Sequence, residues 1–180
     1  CSGRTLTKLF AEEGWRQQAP GKLKDLKAGE VTDTAFFHSL NIESVSALDR
    51  DLAEGATICA DLNTPIPENL HGKFATIIDG GTLEHVFDVP QTLQSIASML
   101  AEDGRVVHIS PVNSWVNHGF YQFSPTFFWD FYGANGFNDL RCLLVEQASC
   151  LGFAERSRCY EYVGKSHPLI TSKNRLLVFF

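Results

Sequence analysis

One stretch, residues 74–110, constrains the fold of this chain more than any other. It opens with an apolar run at 74–78 that stops at Asp79 and two glycines, and it closes with a second run at 105–110. Between the two runs, apolar residues recur at helical spacing from about residue 88 to about residue 100. The order of strand, acidic loop, helix and strand predicts one βαβ unit with parallel strands.

Local signals predict where these elements begin and end. Asp88 followed by Gln91 indicates a capping box at the start of the helix, and Pro90 falls in the first turn, where its missing N–H costs little. The Asp-Gly pair at residues 103–104 is typical of a helix end. Pro111 predicts the end of the second strand, because proline donates no hydrogen bond to a neighbouring strand.

The remaining elements have weaker signals in the sequence. Capping residues predict helices that begin at Thr32 or Asp33 and at Ser124-Pro125, and apolar runs predict strands at 44–48, 56–60, 143–145 and 175–180. We expect residues 1–30 to form a partly helical N-terminal extension and residues 31–180 to form one α/β domain. A chain of 180 residues is long enough for such a core.

Composition excludes some classes of partner. With 44% hydrophobic and 20% charged residues the chain resembles an ordinary globular enzyme. The net charge is −6 and no basic run occurs, so a nucleic-acid backbone is disfavoured as a partner. No apolar run approaches the roughly 18 residues that a membrane span needs. We therefore expect neither a nucleic acid nor a membrane as partner, and the oligomeric state is left open.

The cysteines indicate a reducing compartment. Five of them are dispersed along the chain without a C-x-x-C pair or metal-ligand spacing. Such a set is typical of free thiols in the cytoplasm rather than of a disulfide framework. The chain begins at Cys1 instead of Met, so a trimmed fragment is one interpretation of its ends.

Several short motifs resemble class I S-adenosylmethionine-dependent methyltransferases. They are the segments 77–79, 83–86 (Leu-Glu-His-Val), 99–100, 103–104 and 106–107, which occur in the order and spacing of that family. Residues 118–125, His-Gly-Phe-Tyr-Gln-Phe-Ser-Pro, are similar to a narrower bacterial branch of small methyltransferase-like proteins. The resemblance implies a doubly wound, mostly parallel Rossmann-like sheet with helices on both faces and an antiparallel closing pair of strands.

The same resemblance implies S-adenosylmethionine as cofactor and assigns residues to it. Asp49 would accept hydrogen bonds from the ribose hydroxyls, and a carboxylate suits two adjacent donors. The expected cofactor-binding set is Asp49, Asp61, Leu62, Asp79, Gly80, Gly81, Thr82 and Glu84. The main departure of the chain from the family is that residues 1–30 contain no G-x-G-x-G loop, and Asp103 also stands where the family's turn has a glycine.

Candidate catalytic residues are His118, Tyr121 and His85. His118 and Tyr121 follow the second strand of the βαβ unit, on the side where substrates enter such folds, and an imidazole there can take a proton at neutral pH. The alternative for His118 and Tyr121 is aromatic packing under a lid. For His85 and Glu84 we favour a structural role that orders the loop.

Two other questions of chemistry stay open. A metal site built from Asp79, Glu84, His85 and His118 is conceivable, but such carboxylate–histidine sets are more often hydrogen-bonded networks, so we predict no metal. The function favoured by the resemblance is methyl transfer to a small polar metabolite, with a sugar as one candidate. The alternative is a methyltransferase-like binding or structural module that has lost the glycine-rich cofactor loop.

Overall fold

The computed structural model describes residues 33–148, 156–163 and 174–180. The chain divides into two compact units, Cys1–Ala60 and Asp61–Phe180. The expected N-terminal extension at residues 1–30 lies outside the described residues. In the described part of the chain, no helix is long and apolar enough to cross a membrane.

The described part of the first unit is small. Helix α1, Asp33–Ser39, confirms the helix predicted to begin at Thr32 or Asp33. Strands β1, Leu48–Asp49, and β2, Ile58–Cys59, pair in parallel but are shorter than the runs 44–48 and 56–60 that predicted them. Between them, the Asp51 side chain accepts a hydrogen bond from the N–H of Ala53 and so caps a turn of 3₁₀ helix at Leu52–Glu54.

The second unit is built on a mixed sheet of five strands. In chain order these are β3 (Phe74–Asp79), β4 (Leu100–Asn113), β5 (Leu143–Ala148), β6 (Arg156–Glu161) and β7 (Arg175–Phe179). The strand order is β3-β4-β7-β5-β6, and only β3 and β4 are parallel. Two α-helices, α2 (Val89–Met99) and α3 (Pro125–Ala134), and two 3₁₀ turns, Glu68–Leu70 and Leu83–His85, complete its described part.

The predicted βαβ unit is confirmed as β3, α2 and β4. The Asp88 side chain accepts from the N–H of Gln91 at 3.0 Å, and Pro90 lies in the first turn of α2. Only half of the predicted capping box forms, because the Gln91 side chain turns to the hydroxyl of Ser95 instead, at 3.3 Å.

The predicted boundary between α2 and β4 is wrong. The helix ends at Met99, and the Asp-Gly pair at 103–104 lies inside β4. Asp103 has φ 59°, and a Cβ on Gly104 would be 2.8 Å from the carbonyl oxygen of Ala101. The pair therefore makes an irregularity in a strand, with glycine at the crowded position.

Pro111 does not end β4, contrary to expectation. The strand continues to Asn113, and its pairing with β7 shifts register between Pro111 and Asn113. The Pro111 carbonyl oxygen accepts from the N–H of Phe123 at 2.7 Å, so this residue bonds to the segment before α3. A proline is tolerated in a strand at such an irregularity.

The expected doubly wound, Rossmann-like sheet is wrong. The described residues form three α-helices, a mixed five-stranded sheet and a separate two-stranded parallel sheet. Each parallel pair in a doubly wound sheet needs a helical crossover, and only β3 and β4 of the larger sheet are joined in that way. Strand β7 inserts between β4 and β5 and is antiparallel to both, so the predicted closing strands at 143–145 and 175–180 do exist.

The core of the second unit lies between the sheet and its two α-helices, and it is rich in aromatic rings. Its buried members come from α2, α3, β5, β7 and the loops beside them: Leu83, Val89, Leu93, Phe123, Phe128, Tyr132, Cys142, Leu144 and Val178. Burial raises the pKa of the Cys142 thiol to about 11. Cys142 is therefore a packed, protonated thiol with little reactivity.

A buried polar chain crosses this core. The His108 ring on β4 bonds to an Asp79 carboxylate oxygen through Nδ1 at 2.7 Å and to the Tyr132 hydroxyl through Nε2 at 2.6 Å. The other Asp79 oxygen accepts from the N–H groups of Thr82 and Leu83, at 2.8 and 3.2 Å. These bonds join β3, β4, α3 and the loop after β3.

One arrangement of protons gives every donor in this chain an acceptor. Tyr132 donates its O–H to Nε2 of His108, and Nδ1–H of His108 donates to Asp79. Burial, with a further contribution from the charge of Asp79, raises the pKa of Tyr132 above its ordinary value. Tyr132 is therefore held in the protonated form that this arrangement requires.

We expect Tyr132→Phe to destabilise the protein by about 1–3 kcal/mol, because it leaves the buried Nε2 of His108 without a donor. Tyr160→Phe is the matched control. The Tyr160 hydroxyl also donates a hydrogen bond, to Glu146, but Tyr160 is 40% exposed. Its cost should stay within about 0.5 kcal/mol. Urea unfolding measures both free energies, and equal losses would show that the buried chain contributes nothing special.

Candidate functional site

The loop after β3 is held by Asp79 and leaves Gly80 accessible. Asp79 is buried and both of its oxygens are occupied by His108, Thr82 and Leu83. Gly80 is exposed, and a Cβ there would meet nothing within 4 Å. Asp79 thus shapes the loop, while the backbone at Gly80 is open to close approach by a ligand.

The next turn presents an acid and a histidine side by side. Glu84 and His85 lie on the 3₁₀ turn Leu83–His85, with Glu84 only 2% exposed and His85 exposed. Nε2 of His118 lies 3.3 Å from Oε1 of Glu84, and the rings of His85 and His118 meet edge to face at 4.8 Å between centroids. The structure therefore brings together three residues that the sequence singled out, from two segments of the chain.

Gly119 allows this meeting. A Cβ at residue 119 would lie 2.7 Å from the carbonyl oxygen of Glu84, so only glycine fits. That carbonyl accepts from the N–H of Phe120 at 2.7 Å and of Tyr121 at 3.3 Å. The glycine therefore serves the close approach of two backbones.

Trp115 fixes the other side of His118. Its ring centroid lies 4.9 Å from that of His118, and its indole N–H donates to the carbonyl oxygen of Leu176 at 3.1 Å. The Arg175 guanidinium lies over the Trp115 ring at 4.9 Å. Within the same loop Ser114 and Asn117 have positive φ, 60° and 62°, a conformation that costs energy for residues with a side chain.

A cavity of about 530 Å³ is lined by residues of the same two segments and of the helices that follow them. Its wall is mostly apolar and includes the aromatic residues Phe87, Tyr121, Phe123, Phe127 and Phe131. Gln94, Gln122 and Ser124 supply polar groups. The Tyr121 hydroxyl donates to the carbonyl oxygen of Phe87 at 2.9 Å, which joins the two segments that also contain Glu84 and His118. Concave apolar walls with a few polar groups are typical of small-molecule sites.

The other predicted cofactor residues lie at turns. Asp49 ends β1 in the first unit, where Oδ1 accepts from the N–H of Asp51 at 3.0 Å. In the second unit, Oδ1 of Asp61 accepts from the N–H and the side-chain amide of Asn63, at 2.9 and 2.8 Å. The carbonyl oxygen of Leu62 accepts from the Thr92 hydroxyl at 3.2 Å. Their cofactor roles stay predictions.

Sequence reasoning missed several residues that build this site. Asn63 was one, although its Oδ1 accepts from the N–H groups of both Phe87 and Asp88, at 3.2 and 3.0 Å. His108 was another: it lies directly opposite Asp79 in the parallel pairing of β3 and β4. A lone histidine inside an apolar strand was the available signal for it.

In comparisons with known proteins, no family model and no curated protein matched this chain. The methyltransferase resemblance therefore depends on the motifs themselves and remains a prediction. What the geometry adds is the meeting of the Leu83–His85 turn with the loop that contains His118 and Tyr121.

Gly119→Ala should destabilise the protein by about 1–3 kcal/mol, because the added methyl group overlaps the Glu84 carbonyl and must push the loop away. Gly133→Ala, within α3, is the control. A Cβ at Gly133 would meet only the Leu140 side chain, at an ordinary contact distance of 3.7 Å. We expect the control to be neutral or slightly stabilising. Chemical unfolding of both variants tests this, and a harmless Gly119→Ala would mean that the loop is not held against Glu84.

Proposed function

We propose that this chain transfers a methyl group from S-adenosylmethionine to a small polar metabolite that has a ring face, with a sugar as one candidate. The observation that most supports it is the docking of the His118–Tyr121 segment onto Glu84, at the end of the loop that follows β3. This arrangement joins the two motifs of the resemblance, the Leu-Glu-His-Val segment and the His-Gly-Phe-Tyr segment, into one cluster.

The described residues of the second unit offer part of a cofactor site. Gly80 leaves room for a ligand against bare backbone, and the loop follows the carboxyl end of a strand in a parallel βαβ unit, the usual ligand side of such units. Asp79 is buried, and both of its oxygens already bond to groups of the protein, so we assign it a structural role. We propose that this loop contacts the cofactor through the backbone of residues 80–82, and Asp61 stays a separate candidate.

The aromatic cavity supports an acceptor with a flat apolar face. Aromatic walls stack on such faces, while Gln94 and Gln122 can hydrogen-bond to hydroxyl groups at the rim. Methyl transfer needs in-line positioning of the acceptor and removal of its proton. Tyr121, in the cavity wall, and His118 lie in the same segment of the chain, so we propose that this segment meets both needs. We place the activity in the cytoplasm because the described cysteines Cys59, Cys142 and Cys159 are free thiols.

Calorimetry with S-adenosylmethionine and with its demethylated product tests the proposal. The unmodified protein should bind both, and Gly80→Leu should weaken binding at least about tenfold, a change of about 1.4 kcal/mol, because a Cβ at this residue enters open space and the larger side chain would occupy room over the loop. Gly133→Leu, on α3, is the control for adding the same side chain elsewhere. Absence of heat and of any thermal shift at millimolar cofactor would refute methyl transfer.

One observation favours a second candidate, a binding module without methyl transfer. The occupied Asp79 carboxylate is a structural group rather than a ligand-binding one. In that case the aromatic cavity would still bind a small molecule, and the cofactor would produce no response. The same calorimetric titration therefore separates the two candidates.

A further inference from the structure

Three side chains at the site have the arrangement of metal ligands. Glu84, His85 and His118 each offer one ligand atom, and the three atoms lie within 4.8 Å of one another. Ligands at about 2.0–2.2 Å from a tetrahedral ion are separated by about 3.4 Å. The 3.3 Å between Nε2 of His118 and Oε1 of Glu84 already matches that spacing. His85 is exposed, so a change of its rotamer can bring its ring nitrogen to the same spacing from the other two ligand atoms.

Glu84 supplies a second, independent observation. It is 2% exposed, and its Oε2 is buried without a hydrogen-bond partner among the described residues. A buried carboxylate oxygen without a partner is costly. A cation that both carboxylate oxygens of Glu84 contact would give Oε2 a partner and compensate the charge of the group.

The surroundings hold the ligands in place before any ion arrives. Gly119 keeps the backbone of the His118 segment against Glu84, and Trp115 packs on the His118 ring. A Cβ at Gly81 would lie 3.2 Å from Oε1 of Glu84, so this glycine leaves the carboxylate its room. Asp79, which the sequence had grouped with these residues, is bound to His108 and does not belong to the set.

We infer that Glu84, His85 and His118 bind a divalent transition-metal ion of the Zn²⁺, Fe²⁺ or Mn²⁺ type. Two imidazoles and one carboxylate are a ligand set that leaves coordination positions open for substrate. An open position here would take an oxygen of the acceptor and lower the pKa of its hydroxyl group. This role of the ion rests on the proposed methyl transfer, whereas the site itself does not.

The test is a titration of chelator-treated protein with Zn²⁺ alone, in the absence of S-adenosylmethionine. Calorimetry should show one tight site per chain, and Zn²⁺ should raise the melting temperature. Glu84→Gln, His85→Ala and His118→Ala should each weaken binding at least about 100-fold and abolish the thermal shift. Glu84 is buried and His118 bonds to it, so the variants of these two residues can lose stability. His85 is exposed, so His85→Ala should fold normally and decides the test.

Two controls address binding elsewhere on the protein. His38→Ala removes an exposed histidine outside the cluster and should leave the affinity unchanged. The double variant Cys59→Ser, Cys159→Ser removes two exposed free thiols that compete for Zn²⁺, and it should also keep the tight site. Two results would overturn the inference and leave a hydrogen-bonded Glu84–His118 pair. One is that the His85 and His118 variants bind Zn²⁺ as tightly as the unmodified protein, and the other is that the unmodified protein does not bind Zn²⁺ at millimolar concentration. A protein that binds Zn²⁺ but gives no response to S-adenosylmethionine would refute methyl transfer alone.

Discussion

The buried carboxylate of Asp79 is the constraint on which the second unit depends. One oxygen accepts hydrogen bonds from two backbone N–H groups of the loop after β3. The other is hydrogen-bonded to Nδ1 of His108, whose Nε2 is hydrogen-bonded to the Tyr132 hydroxyl. A buried polar group is tolerated when it is hydrogen-bonded, and this carboxyl group makes three bonds. The turn with Glu84 and His85 comes directly after this loop in the chain, so the buried bonds of Asp79 fix where the turn begins.

Local elements of this fold could be predicted from the sequence, because their signals are local. Asp88 and Pro90 mark the start of α2, Ser124 and Pro125 that of α3, and both helices begin where predicted. The sheet could not be predicted in the same way. Strand β7 inserts between β4 and β5, a pairing set by contacts between residues far apart in the chain, such as Pro111 with Leu177. The prediction of a doubly wound sheet was wrong because it assumed that the other strands are connected by helices and run parallel, as β3 and β4 do.

For the site too, the residues could be predicted from local motifs, but the contacts between them could not. Glu84, His85, His118 and Tyr121 lie in two short motifs, so each residue was found, but their meeting depends on a backbone approach that only Gly119 permits. His108 is 29 residues from Asp79 and meets it through strand register, which a single sequence does not reveal. Asn63 likewise ties its own turn to Phe87 and Asp88 across an interval of 24 and 25 residues.

Glu84 makes its two kinds of contact with different parts of the residue. Its carbonyl oxygen accepts from Phe120 and Tyr121, while its carboxylate faces His118. The two backbone bonds use an atom common to every amino acid, so this part of the docking does not depend on which side chain occupies position 84. The frame of the loop and the polar chemistry inside it are thus specified by different atoms of one residue.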